Sequence, residues 1–391
     1  MEQAIVIVGG GIGGLATALG AALSGRSVRL LEQASAFAEV GAGVQLGPNV
    51  VHVLEGWGLG DALRGVAAFP ERLEVRNALT AQTLGILPLG ARTVARYGAA
   101  YATVARPDLH GLLLSAVQGQ GVSLQLNTTL TEVQEAPDAV RLRTASGQTL
   151  TTPLLVGADG LWSRVRQHLL PDAPPRVTGH LAFRAMVKQS ALPELVRSQV
   201  VTAWLGPQFH AVQYPVRGGE WLNIVVIVQG HTAGDPMSWD HSANAQELRA
   251  RLANAQAPLL DLIHAVDDWR LWPLYDRPPM TSASQQAQGR IALLGDAAHP
   301  MRPYLAQGAG MAIEDAQQLV ASLQTHGADV PAALAHYAQV RWQRNARVQA
   351  RAIRNGEIFH LRGPMRLGRD VSLKLLGERL LDVPWLYGYR A

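Results

Sequence analysis

The sequence predicts an α/β fold: a Rossmann-like dinucleotide domain, discontinuous along the chain, with a β-rich domain inserted into it and helices at its C-terminal end. Three observations carry that prediction. The apolar run Ala4 to Val8 leads directly into Gly9-Gly10-Gly11-Ile12-Gly13-Gly14. Two later apolar runs, Leu154 to Gly160 and Arg290 to Asp296, also end in small residues plus an acid. Between those two, residues 178 to 275 form β-rich segments that fit an antiparallel sheet better than further βαβ units.

Each element follows from its residues. A short apolar run is a buried parallel strand, Gly9 permits a tight turn, Gly11 lets backbone approach a pyrophosphate, and Gly14 lets the next helix pack on the strand. Glu32 ends the second strand, Ser27 to Leu31, eighteen residues after Gly14, where a carboxylate can accept hydrogen bonds from a ribose. Gln33 follows it. The small-residue stretch Glu39 to Asn49 reads as a loop passing close to something flat, and it feeds a helix over Val50 to Trp57. Residues 72 to 88 read as two strands, and Arg106-Pro107 opens a helix whose buried stripe is Leu109, Leu112, Leu113 and Val117. Segments 123 to 126, 129 to 135 and 139 to 144 read as a β-meander. In the β-rich region the expected strands are Gly179 to Val187, Gln199 to Leu205, Gln208 to Val216, Trp221 to Gln229 and Trp269 to Leu274. Helices are expected from Leu305 to Gln324 and from Pro331 to Asn355.

Composition narrows the function classes. The 391 residues favour two packed domains, and 48% hydrophobic content supplies their cores. With no cysteine, disulfides, thiolate metal sites and cysteine catalysis are excluded; a cytoplasmic location is the simplest expectation, and no metal is expected. Net charge is only +4 with arginine scattered throughout, so no nucleic-acid footprint is expected. Arg341, Arg344, Arg347, Arg351 and Arg354 recur at helical spacing and read as a solvated helix face, with binding of an anionic cofactor or partner as the alternative. Residues 4 to 25 are apolar but glycine-rich and lack a basic flank, so no membrane span or signal peptide is expected.

Taken together, Gly9-x-Gly11-x-x-Gly14 with Glu32, Gly157-Ala158-Asp159-Gly160-x-x-Ser163-x-x-Arg166 and Gly295-Asp296-Ala297-Ala298-His299-Pro300 resemble the single-component (class A) FAD-dependent aromatic hydroxylases, in order across nearly the whole chain. The branch it resembles most is that of salicylate hydroxylase and 3-hydroxybenzoate 6-hydroxylase. The resemblance implies an FAD-binding domain of residues 1–70, 97–176 and 278–391, and a substrate domain of 71–96 and 177–277. It implies FAD contacts from Gly9, Gly11, Gly14, Glu32, Gln33, Val44, Arg106, Asp159, Asp296, Pro303, Gly308, Ala309 and Gly310. Glu32 would hold the adenosine ribose and Asp296 the ribityl or its phosphate side, while Asp159 belongs to a motif tied to both FAD and NAD(P)H, with helix capping as the alternative. Pro303 would lie beside the flavin ring. A helix opening at Gly308 would stabilise negative charge on the reduced flavin.

Implied chemistry is reduction of FAD by NADH or NADPH, reaction with O2 to a C4a-hydroperoxyflavin, and hydroxylation of a small aromatic, phenolic acid-type substrate. Strand periodicity puts His210, Val212 and Tyr214 on one face; His210 would take the phenol proton and Tyr214 orient the ring, the alternative being a packed sheet histidine. His299 reads as structural. Arg302, which with Tyr304 flanks Pro303, is left between binding a substrate carboxylate and exposure to solvent; Gln45 would face either flavin or substrate, and Arg184 is read as structural or near the nicotinamide path. Polyketide, antibiotic or quinone-precursor substrates, and a flavoprotein dehydrogenase that never hydroxylates, are the rival readings. A homodimer is one open expectation.

Overall fold

The protein is described from a computed structural model, which covers residues 4–37, 42–230, 241–242 and 245–391. Residues 39–41 of the small-residue loop lie outside the described residues. Ile5–Val8 sits in the middle of a six-stranded sheet, flanked by Val28–Leu31 and then Ser123–Gln125 on one side, and by Leu155–Gly157, Ile291–Leu293 and Ala287–Gln288 on the other. All neighbours in it are parallel except the last pair. The three strand ends that close in small residues are therefore side by side at one carboxyl edge, where doubly wound sheets bind nucleotides. Helix Ile12–Leu23 packs below that edge against Gly308–His326, and Ala16, Leu19, Ile313 and Leu323 belong to their shared core.

An eight-stranded sheet, including residues 72–77, 83–88, 176–188, 201–206, 209–216, 221–229 and 270–276, stands against this unit. Strand alternation divides its faces. On Trp221–Gln229, residues Leu222, Ile224, Val226 and Val228 join a core capped by helices Ala245–Arg251 and Ala257–His264. Val225 and Ile227, on the opposite face, line a cavity. A small three-stranded sheet of Gly43–Leu46, Ala102–Ala105 and Ala67–Ala68 lies at the seam between the two large ones.

Two expectations need correction. Ser123–Gln125 is not part of a meander; it pairs in parallel with Val28–Leu31 at the edge of the six-stranded sheet, and the meander is Leu130–Glu135, Val140–Thr144 and Thr149–Thr152. The arginine stripe of helix Val330–Phe359 is a solvated face only in part: Arg347 and Arg354 are exposed, but its first two members are not free in solvent. Arg341 is fully buried, with Nε 2.7 Å from Asp315 Oδ1 and Nη1 2.8 Å from Glu314 Oε2, and Arg344 donates to both oxygens of Glu314. Its carboxylate partners sit on the Gly308 helix and so are invisible in the stripe's own periodicity. Among the described residues no helix is long and apolar enough to cross a membrane.

Candidate active site

The glycine turn has the geometry its sequence demands. Gly9 adopts φ +107°, and a Cβ on Gly14 would lie 1.9 Å from Gly9 O, so neither position accepts a side chain. His110 Nε2 lies 2.8 Å from Gly10 O and fixes the loop from the neighbouring helix, a contact that no pattern in the sequence announces. Glu32 accepts from Gly10 N at 2.6 Å and from Ala34 N at 2.7 Å, which locks its carboxylate at the strand end. Gln33 is exposed beside it.

A cavity of about 280 Å3 opens above this turn and runs to the eight-stranded sheet. Gly11, Val44, Arg106, Asp296, Pro303, Gly308, Ala309, His210 and Tyr214 all line it. Gly9, Gly14 and Gly310 do their work behind the wall; a Cβ on Gly310 would meet Val50 at 2.8 Å. Asp159 is engaged as a helix cap: its carboxylate accepts from Ser163 Oγ, from Arg164 N at 2.8 Å and from Val165 N at 3.2 Å, while its neighbours Ala158 and Gly160 line the cavity. His299 is structural, fully buried with Nε2 2.5 Å from Asp315 Oδ2, and the positive charge about it holds the Asp315 carboxyl down at about 2 against the opposing effect of burial.

Two helices present uncapped N-termini to this space. Helix Ile12–Leu23 begins after Gly11 and helix Gly308–His326 after Gln307, neither with a side-chain cap, and Gly11, Ile12, Gly13, Gly308 and Ala309 line the cavity. Their orphan N–H groups and positive dipole ends suit negative charge at two separate places. A ligand with a diphosphate at one end and an electron-accepting ring at the other meets both requirements. FAD is such a ligand, and the backbone openings left by the glycines fit its passage.

At the far end, His210 is 2% exposed and its Nδ1 lies 2.9 Å from Nε2 of His360, at the end of helix Val330–Phe359. Two neutral imidazoles share one proton in that contact, which leaves His210 Nε2 free of it. Burial, reinforced by His360 and His180, holds His210 well below the usual histidine range, so it is neutral at neutral pH. The His360 imidazole is pushed down to about 3 by burial, then by His180 and two arginines. The same cluster contains Tyr304, whose hydroxyl is 2.7 Å from His180 Nδ1. Tyr214 is fully enclosed, and burial holds its phenol above the usual tyrosine range, so it is a neutral donor. Arg302 lines the cavity but is paired to buried Asp276 at 2.7 Å. Gln45 also lines it and accepts from Tyr101 Oη at 2.6 Å. The sequence reading missed His180 and His360. His180 shares its strand face with Arg184 and was open to the alternation argument; His360 follows a helix and carried no signal.

A glycine turn at the strand edge, a cavity joining it to an inserted sheet and two free helix N-termini define a flavin-dependent oxidoreductase. Residues 2–352 match the FAD binding domain family. The chain is 36% identical over 389 residues, 98% of its length and 96% of the relative's, to 3-hydroxybenzoate 6-hydroxylase of Polaromonas naphthalenivorans. It is 38% identical over 347 residues, 88% of this chain and 89% of the relative, to 6-hydroxynicotinate 3-monooxygenase of Bordetella bronchiseptica. A salicylate hydroxylase substrate complex superposes with a TM-score of 0.85 at 28% identity, covering 99% of this chain and 96% of that one. The chain belongs to the class A FAD-dependent aromatic hydroxylases.

Proposed function

We propose that this enzyme hydroxylates a small aromatic acid carrying a phenolic or equivalent ring hydroxyl, with His210 as the base. The observation that carries the reading is a buried imidazole, neutral at neutral pH, lining the same cavity as the start of the Gly308 helix. Withdrawing the phenol proton raises the electron density of the ring at the carbon to be hydroxylated; a neutral imidazole can accept it, and the bound phenolate beside the resulting imidazolium offsets the basicity that burial removes. His360 receives the Nδ1 contact and keeps the His210 ring oriented. Tyr214, projecting from the same strand face four residues on, donates to the substrate and fixes the ring plane. When bound, FAD would supply the redox chemistry, with NAD(P)H as hydride donor and O2 as the source of the inserted oxygen, its other atom leaving as water. Glu32 with Gln33 would hold the adenosine end, Arg106 and Asp296 the middle, and Val44, Pro303, Gly308 and Ala309 the ring. The separate cores of the two large sheets support a division into a cofactor domain of residues 1–70, 97–176 and 278–391 and a substrate domain of 71–96 and 177–277.

The test is a panel of hydroxybenzoates and hydroxynicotinates offered to the holoenzyme with NADH or NADPH. Stimulated pyridine-nucleotide oxidation matched by a hydroxylated product is expected. Oxidation that yields peroxide alone with every aromatic acid overturns the reading and favours a non-hydroxylating flavoprotein; turnover confined to larger polyketide-like or quinone-precursor phenols favours the related-substrate alternative.

A further inference from the structure

Among the described residues, Arg184 is a cavity cation without a carboxylate partner. Arg184 lines the cavity from strand Arg176–Lys188, and its Nε is enclosed without a hydrogen-bond partner among the described residues. Its guanidinium lies over Trp272, with Cζ 5.2 Å from the ring centroid. Burial is the main influence on it, and the groups that act on it electrostatically are the Tyr214 phenol and a second cation, Arg106. Its pKa is lowered to about 10, so the group stays charged at neutral pH. Other enclosed arginines are treated differently: Arg341 meets Glu314 and Asp315, Arg166 meets Asp172, and Arg302 meets Asp276. A desolvated guanidinium that faces a π surface and a like charge lacks the partner that normally offsets its burial.

We propose that Arg184 is the residue that recognises the carboxylate of the aromatic acid, with the Tyr214 hydroxyl as a second donor. This rests on the aromatic-acid reading of the cavity. The guanidinium fork matches a carboxylate in geometry and charge. The register supports the span required: Arg184 pairs with Val225, Val225 with Val212, and His210 lies two residues from Val212 on the same face. With strands about 4.8 Å apart and residues about 3.3 Å apart along a strand, the backbones of Arg184 and His210 are about 12 Å from each other. One aromatic ring with a hydroxyl toward the imidazole and a carboxylate toward the guanidinium fits between side chains projecting from those positions. The diphosphate of FAD would be served by the uncapped start of helix Ile12–Leu23, which follows a strand of the six-stranded sheet and not of this one.

The experiment is equilibrium binding to the oxidised holoenzyme, read from the flavin absorbance, with 3-hydroxybenzoate, salicylate and 6-hydroxynicotinate, each against its neutral carboxamide. Wild type should prefer at least one acid over its amide. Arg184→Gln should lose about 10- to 100-fold in affinity for that acid, keep its affinity for the amide and retain FAD; Arg184→Lys should keep part of the acid preference. An acid preference unchanged in Arg184→Gln overturns the proposal. So does loss of FAD in both variants without a change in that preference, which makes cofactor phosphate the anion. If wild type binds no acid at all, the aromatic-acid reading itself fails, a result visible before any variant is made.

Discussion

At the residue scale, the decisive group is His210. A histidine whose pKa is lowered in the folded enzyme acts as a base above that lowered value and loses the role only on acidification below it, so the acidic limb of hydroxylation should lie below the ordinary histidine range of about 6.5. His210→Ala should leave FAD bound and its reduction by NAD(P)H nearly intact while slowing hydroxylation by about 100-fold or more and displacing that limb. Rapid-reaction traces that separate flavin reduction from product formation check both halves. An unchanged pH profile in the variant would remove His210 from the role of base and return it to being a packed sheet histidine.

The same residues act together on stability. His180, pushed down to about 4 mainly by burial, and His360, pushed down to about 3, are neutral in the folded protein where an unfolded chain would protonate them, as is His210. Below about pH 6.5 the unfolded state therefore binds more protons, and stability falls with falling pH by about 1.4 kcal/mol per unit for each such group until the folded group itself protonates. A melting series from pH 7 to pH 5 should show this decline, and His360→Gln should flatten it. That such a cluster exists was only partly legible in the sequence. Periodicity brings His210 to a face with Tyr214, and the same alternation reaches His180 and Arg184, but His360 arrives from a helix end 150 residues away.

At the scale of elements, helix Gly308–His326 serves the site because helix Val330–Phe359 anchors it. Its free N-terminus faces the cavity, and its second turn carries Glu314 and Asp315, both fully buried on Arg341. Asn49 Nδ2 adds 2.6 Å from Glu314 Oε1. Removing the central cation takes one charged partner from each carboxylate and leaves Glu314 on Arg344 and Asp315 on His299, so Arg341→Met should cost about 3 kcal/mol in a denaturant titration, the low end for breaking a buried pair, and weaken FAD retention with it. A loss within about 0.5 kcal/mol, the range of a surface substitution, would mean the pairs are dispensable. Here the sequence was legible in periodicity and only partly in meaning: of five arginines at helical spacing, Arg347 and Arg354 do meet water, whereas Arg341 and Arg344 meet acids because a helix packs against that end. The three glycine-and-acid strand ends were readable for the opposite reason, since backbone geometry at a tight turn constrains the local residues directly.

At the scale of the whole molecule, the two large sheets meet along the short strand Gly43–Leu46, and the site exists only where they meet. Gly43 N donates to Asn223 Oδ1 at 2.6 Å, which ties the cofactor side to the substrate sheet across 180 residues of sequence. A Cβ at Gly43 would lie 2.6 Å from the Tyr214 ring and 3.2 Å from Asn223 Cβ. Neither neighbour yields cheaply, because Tyr214 is 3% exposed and Asn223 is fully buried. Gly43→Ala should therefore displace Tyr214 and part the two walls by a few tenths of an ångström or more without disturbing the Gly9–Gly14 turn. The expected outcome is an enzyme that still holds FAD and oxidises NAD(P)H but diverts a larger share of turnover to peroxide, because the ring to be hydroxylated is no longer held against the flavin. Measuring hydroxylated product per NAD(P)H consumed decides the matter: a ratio equal to wild type would show that the seam tolerates a methyl group and that Tyr214 does not position the substrate, whereas a fall in that ratio with FAD content unchanged locates substrate alignment in the contact between the sheets.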